Sequence, residues 1–284
     1  MKIALVQMDV QLGAVEHNLK VMLDRLVSSR RNDARLTIFP ECALTGYCFD
    51  SLEEARQQAQ PIPGPATERF QKVLRDVGGY AVFGMLEASG AQVFNAAVLM
   101  GPDGVVGSYR KIHLPCLGVD AFVSYGDRPF AIYELDGVRI GLGICYDSAF
   151  PEAIRTMALQ GADLIALPTN FPSGAVAMVE HVLRTRAMEN HVYFAACNRI
   201  GTERGFHFIG QSQIADPTGF WLAHSPSDRP EILYAEIDPA FARTKHVVRV
   251  PGKHSIDRMA DRRPEMYGAL VQPHQWARPG RDIS

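Results

Sequence analysis

One stretch constrains this chain more than any other: Val138 to Glu152, which reads VRIGLGICYDSAFPE. Apolar residues from Val138 to Ile144 predict a strand, and the pattern changes abruptly at Cys145. Asp147 or Ser148 can cap a following helix, Pro151 suits its first turn, and Gly161 can close it. A cysteine is thereby expected at a strand end, on a tight turn beside a helix N-terminus. Positive partial charge there stabilises a thiolate, the reactive form of cysteine. A buried structural cysteine is the plain alternative, and only partners elsewhere in the chain can decide between the two.

Composition narrows the classes. With 284 residues, 47% of them hydrophobic, the chain can bury a large core. A formal net charge of −2 gives no single-sign field to attract nucleic acid or an anionic membrane, so neither is expected as a partner. The five cysteines (Cys42, Cys48, Cys116, Cys145, Cys197) are odd in number and lack metal-ligand spacing. They read as reduced thiols in a cytoplasmic protein. The opening MKIALVQMDVQLG reads as a first strand rather than a signal peptide, because Gln7 and Asp9 interrupt the apolar run. No apolar stretch is long enough to span a bilayer.

Along the chain, strands and helices alternate. Strands are predicted at Lys2–Val10, Leu36–Phe39, Tyr80–Leu86, Phe94–Met100, Val105–Arg110, Phe130–Leu135, Val138–Ile144, Asp163–Leu167, His191–Cys197, Gln211–Ile214, Phe220–His224 and Ile232–Ile237. Helices are predicted over Val15–Val27, Ser51–Gln58, Ala66–Asp76, 151–160 and 176–190. The stretch 115–130 is aperiodic and reads as a long functional loop. ARLTIFP at 34–40 echoes ADLIALP at 162–168, which suggests two similarly built halves. With no linker and no break in composition, residues 1–284 are expected to form one α/β domain with mixed sheets. The Pro- and Arg-rich tail, 245–284, reads poorly as core and is expected to pack on a partner subunit.

Three reactive side chains, Glu41, Lys111 and Cys145, fall at predicted strand ends, where α/β folds place their sites. A thiol nucleophile needs a base, and Glu41 can serve. Attack on a carbonyl or nitrile carbon builds negative charge that the Lys111 ammonium and the Tyr146 N–H can stabilise. Singly, each residue is as readily a solvated or capping charge.

Three segments, FPECALTGY (39–47), YRKIHLP (109–115) and GICYDSAFPE (143–152), closely resemble the signature segments of the nitrilase, or carbon–nitrogen hydrolase, superfamily. LPTNFP (167–172), LRTRAMENHVYFAACNRIG (183–201) and DPTG (216–219) extend the resemblance over roughly residues 1–240. The resemblance implies a four-layer α-β-β-α sandwich of two mixed sheets and a homodimer or larger homo-oligomer; no cofactor is expected, and the cysteine spacing offers no metal site. It assigns Glu41 as general base, Lys111 as oxyanion stabiliser and Cys145 as nucleophile of a thioester pathway. Many members carry a second glutamate shortly after the lysine; Gly118 and Val119 stand there here, and Asp120 is the candidate substitute. Tyr47, Asp120, Tyr146, Asn170 and Phe171 are the expected substrate-binding residues. His113 is read as a backbone support, Asp147 and Glu152 as turn and helix-terminus carboxylates, and Arg186 with Glu189 as a helix pair.

True nitrilases of the family usually place tryptophan after the cysteine, whereas Tyr146-Asp147 resembles the amidase and carbamoylase branches. The expected substrate is therefore a small linear amide, cleaved to a carboxylate and ammonia. An N-carbamoyl amidohydrolase or a nitrilase is the alternative. From other classes, a catalytically silent interaction protein is disfavoured by the intact triad, and a papain-like hydrolase would have to use His113 as its base.

Overall fold

A computed structural model describes residues 1–280. The chain begins with β1 (Lys2–Gln7), crosses through α1 (Val15–Arg31) to β2 (Leu36–Ile38), and passes α2 (Leu52–Arg56) and α3 (Pro65–Val77). β3 (Tyr80–Ser89), β4 (Gln92–Gly101) and β5 (Gly104–Arg110) follow as a meander. The second half repeats the plan: β6 (Ile132–Leu135), β7 (Val138–Leu142), α4 (Pro151–Leu159), β8 (Leu164–Thr169), α5 (Leu183–Asn190) and β9 (Tyr193–Asn198). A hairpin of β10 (Ile200–Glu203) and β11 (Phe206–Ile209) precedes β12 (Gln213–Ala215), β13 (Trp221–His224) and β14 (Glu231–Glu236). After α6 (Pro239–Arg243), β15 (His246–Val250) and β16 (His254–Asp257) form a last hairpin.

Two six-stranded sheets result, ordered β14-β1-β2-β3-β4-β5 and β13-β12-β9-β8-β7-β6. In each, three parallel strands are flanked by antiparallel ones, and β2 and β8 are the middle strands of the two parallel trios. The sequence echo at 34–40 and 162–168 thus marks equivalent positions in two similar sheets.

Strand alternation explains how the sheets stack. Ile3, Leu5, Leu36, Ile38, Val82, Ala97 and Leu99 join Ile140, Leu142, Leu164 and Ala166 of the other sheet in one buried cluster. Their alternates Val6, Ala81, Phe83, Val98 and Met100 face α1 and α3, meeting Leu19, Met22, Leu26, Phe70 and Leu74. Phe70 stacks on Phe83 with centroids 4.2 Å apart. On the far side, Ile154 and Met157 of α4 and Leu183 and Ala187 of α5 cover the second sheet. The architecture is the α-β-β-α sandwich of two mixed sheets. Burial, at about 25 cal/mol per Å² of apolar surface, dominates what holds these layers.

Some expectations change in detail. The cap of α4 is Phe150, with Pro151 at its first position, rather than Asp147 or Ser148. The helix over 176–190 begins with a π-helical stretch, Met178–Val182, before continuing as α5. The β10–β11 and β15–β16 hairpins are strands that the periodicity did not predict, because each is short and largely polar or exposed on one side. Among the described residues, no helix is long and apolar enough to cross a membrane.

Candidate active site

Glu41 follows β2, where the chain turns sharply over β3. The Gly84 N–H donates to the Pro40 carbonyl at 3.1 Å. A Cβ on Gly84 would lie 2.3 Å from the Cys42 nitrogen and 2.6 Å from the Glu41 Cα, so only glycine allows this approach. Lys111 follows β5 and is held by its own N–H, which donates to the Asn95 carbonyl on β4 at 2.8 Å. Both side chains are fully buried.

Lys111 Nζ donates to Glu41 Oε1 at 2.6 Å and to Asp120 Oδ2 at 2.5 Å. Asn95 Nδ2 bridges the same two carboxylates, donating to Glu41 Oε1 at 2.7 Å and Asp120 Oδ1 at 2.8 Å. Tyr47 Oη donates to Asp120 Oδ2 at 2.8 Å. Asp120 is thus a buried partner of the lysine, carried by a 3₁₀ turn at Gly118–Ala121. Tyr47 is buried behind that pair, its ring 5.9 Å from Lys111 Nζ. Asn95 is a hub that sequence reading missed, since an asparagine inside an apolar strand run carries no local signal beyond its own polarity.

Cys145 adopts φ 42°, a left-handed conformation that costs a side-chain-bearing residue about 1–2 kcal/mol. The turn after it is a 3₁₀ segment, Cys145–Ala149. Asp147 organises it: Oδ2 accepts from the Ile144 N–H at 2.8 Å and from Tyr109 Oη at 2.9 Å, while Oδ1 meets His113 Nδ1 at 2.7 Å. Ser148 Oγ donates to the Cys145 carbonyl at 2.7 Å. Arg186 of α5 donates to the Ser148 and Ala149 carbonyls at 2.9 and 3.2 Å and pairs with Glu189 at 2.8 Å. His113 stacks on Phe150 with centroids 3.8 Å apart, so its imidazole braces this elbow, the turn at Cys145–Ala149.

Burial pushes the Cys145 thiol up, and the Glu41 carboxylate adds to this; Lys111, the Thr169 hydroxyl and the Asn170 N–H pull the other way without prevailing. This corrects the expectation of a helix-stabilised thiolate. α4 starts only at Pro151, so no α-helix N-terminus adjoins the sulfur, and burial favours the neutral thiol over the thiolate. Burial likewise raises the Glu41 carboxyl above the usual range, although Lys111 and Asn95 oppose it. For Lys111, burial disfavours the ammonium, but Asp120 and Glu41 outweigh that and hold it well above the usual lysine range.

Four buried polar atoms beside the sulfur lack an aligned hydrogen-bond partner: Glu41 Oε2, Thr169 Oγ1, and Asn170 Nδ2 and Oδ1. Unpaired buried polar atoms are costly, and their concentration here marks a ligand-receiving pocket. Phe171 is buried in the wall, its N–H donating to Asn198 Oδ1 at 2.8 Å. Tyr146 stands apart from the buried cluster, 39% exposed and edge-on to Phe150. Among the described residues, no group of three or more His, Cys, Asp or Glu is arranged to hold a metal ion. A thiol, an unshared carboxylate oxygen and a fixed ammonium buried together can perform acyl transfer.

Residues 2–246 match the carbon-nitrogen hydrolase family. The chain belongs to that family. This carbon-nitrogen hydrolase is 38% identical to a protein named nitrilase from Pyrococcus abyssi, over 94% of this chain and 98% of the relative. It is 30% identical to the N-carbamoylputrescine amidase of Solanum lycopersicum, over 87% of this chain and 88% of that protein. The amidase from Nesterenkonia sp. AN1 has the same fold, with TM-score 0.79, 26% identity, and 95% of this chain and 97% of that chain covered. That amidase was captured as a mutant with the acetamide moiety of fluoroacetamide covalently added at its active-site cysteine.

Proposed function

We propose that this carbon-nitrogen hydrolase cleaves a small linear amide to a carboxylate and ammonia through a thioester on Cys145. The observation that carries the reading is the unpartnered Glu41 Oε2, buried in the same cluster as the Cys145 thiol. Oε1 is saturated by Lys111 and Asn95, which leaves Oε2 to take the thiol proton.

The sulfur then attacks the amide carbon, and the developing oxyanion is stabilised by the Lys111 ammonium and the Tyr146 N–H. Collapse expels the amine nitrogen as ammonia, which receives its proton from Glu41. Water, deprotonated by the same carboxylate, hydrolyses the thioester and frees Cys145. Asn170, with both amide atoms unspent, is the residue to hydrogen-bond the substrate, and Phe171 supplies apolar wall. Asp120 takes the place of the family's second glutamate by fixing Lys111. Tyr47 acts behind it rather than on the substrate.

The carbamoyl alternative is supported by the relative named for N-carbamoylputrescine. A carbamoyl group presents the same planar carbonyl and NH₂ to the thiol, and its product acid would release carbon dioxide. Intact-protein mass spectrometry after brief exposure to amides, nitriles and carbamoyl amino acids, with ammonia measured in parallel, tests the reading. A transient acyl adduct with ammonia release, both lost in Cys145→Ala, is the expected result. Adducts and ammonia that persist in that variant would sink it.

A further inference from the structure

We propose that Glu203 is a positioning residue for the chemistry at Cys145, acting through Tyr47 on the Asp120–Lys111 pair. The proposal rests on the thiol-hydrolase reading and extends it to a residue on a separate hairpin.

Glu203 ends β10 and is almost fully buried. Its Oε1 accepts from Arg199 Nη1 at 2.8 Å, and its Oε2 accepts two successive backbone N–H groups, Tyr47 at 2.9 Å and Cys48 at 2.6 Å. Arg199 is itself fixed by the Val10 carbonyl at 2.6 Å, by Asp9 at 3.3 Å and by the Phe208 ring at 4.4 Å. A carboxylate seated on consecutive N–H groups is a rigid anion nest.

What it fixes is the backbone of the residue that reaches the site. Tyr47 holds the 3₁₀ turn at two points: its carbonyl accepts the Val119 N–H at 2.8 Å, and its hydroxyl donates to Asp120 at 2.8 Å. Asp120 in turn holds Lys111 at 2.5 Å. The path from Glu203 to the proposed oxyanion-stabilising ammonium therefore contains only direct hydrogen bonds and one rigid ring.

Stability alone does not account for such a device. Burying an ion pair costs several kcal/mol per ion and is often matched or bettered by apolar residues of the same volume. Here the buried charge sits where two loop N–H groups need one geometry, and misplacing a reacting group by about 1 Å can cost about 100-fold in rate.

The test is a double-mutant cycle with Glu203→Gln and Tyr47→Phe. Glutamine keeps the shape, but in either orientation its NH₂ opposes a donor, Arg199 or the loop. Two quantities are read: kcat and KM on the amide that the wild type turns over, and the pH profile of Cys145 alkylation by iodoacetamide, located by peptide mass spectrometry. Each single variant is expected to lose about 10- to 100-fold in kcat with little change in KM. Each is also expected to shift the alkylation profile in the same direction, and the double variant is expected to be no slower than the slower single. Additive losses, or a folded Glu203→Gln chain with wild-type kcat and alkylation profile, overturn the proposal. Should Glu203→Gln not fold, Glu203→Asp carries the same comparison, since it keeps the charge on Arg199 but draws the oxygens back from the loop. Alkylation needs no turnover, so an absent amidase activity would defeat the function proposed above while leaving Glu203 testable.

Discussion

Glu41 carries two opposed demands: it is buried, which favours its neutral form, and the proposed reaction needs its charged form. Activity should therefore fall, on acidification, at a pH above the ordinary carboxylate value of about 4.3. A pH–rate profile whose acid limb lies at or below that value would contradict the assignment. For folding the sign is reversed. A carboxyl raised in the folded state contributes stability at acid pH that is lost as pH rises through its raised value. Glu41→Gln should cost on the order of 10²–10⁴ in kcat, read by ammonia release, without unfolding the chain. Lys111 behaves differently, because Glu41 and Asp120 both lean on it. Lys111→Met would leave two buried carboxylates uncompensated, with an expected loss of about 3–5 kcal/mol in denaturant unfolding. Asn95 belongs at this scale as well. Its amide bridges Glu41 and Asp120 but cannot relay a proton between them, so in the proposed reaction a proton on Glu41 stays beside the thiol.

At the scale of elements, the site depends on how closely backbones pass. Gly84 on β3 lies under the Glu41–Cys42 turn, and Gly84→Ala must push Glu41 away from Lys111. Expected are an overpacking cost of about 1–3 kcal/mol in thermal unfolding and a drop in kcat larger than any change in KM. Elements of this kind also show what was legible in the sequence. The apolar runs Val138–Ile144 and Asp163–Leu167 predict β7 and β8, and those at Leu36–Phe39, Val105–Arg110 and Val138–Ile144 set Glu41, Lys111 and Cys145 at strand ends. The elbow was harder to read. Asp147 looks like a helix cap in sequence, yet its carboxylate gathers the Ile144 N–H, Tyr109 and His113, which come from the two different sheets and meet only in the fold. The β10–β11 hairpin escaped notice because Arg199 and Glu203 look like surface charges until their mutual burial is seen. Asp120 was visible only as an alternative within an aperiodic loop, since no periodicity fixes the register of a 3₁₀ turn.

For the whole molecule, the C-terminal tail is the part least explained by the sandwich. Met266, Leu270, Val271 and Trp276 are all largely exposed. The reading of this tail as a contact with a partner subunit predicts that a chain ending at Lys245 sediments as a smaller species than the full chain. Equal sedimentation would dispose of it. The two sheets have a consequence of another kind. Glu41, Asn95 and Lys111 are delivered by β2, β4 and β5 of one sheet, and Cys145, Thr169 and Asn170 by the ends of β7 and β8 in the other. Neither sheet holds a complete set, so the proposed chemistry is an interlock that closes only when the sheets dock. An expanded state that kept its strands and helices but loosened the interface would be silent, its thiol parted from its base. In a denaturant titration, ammonia release should vanish before far-ultraviolet circular dichroism changes. Until the sheets dock, Cys145 is an ordinary thiol with no carboxylate beside it.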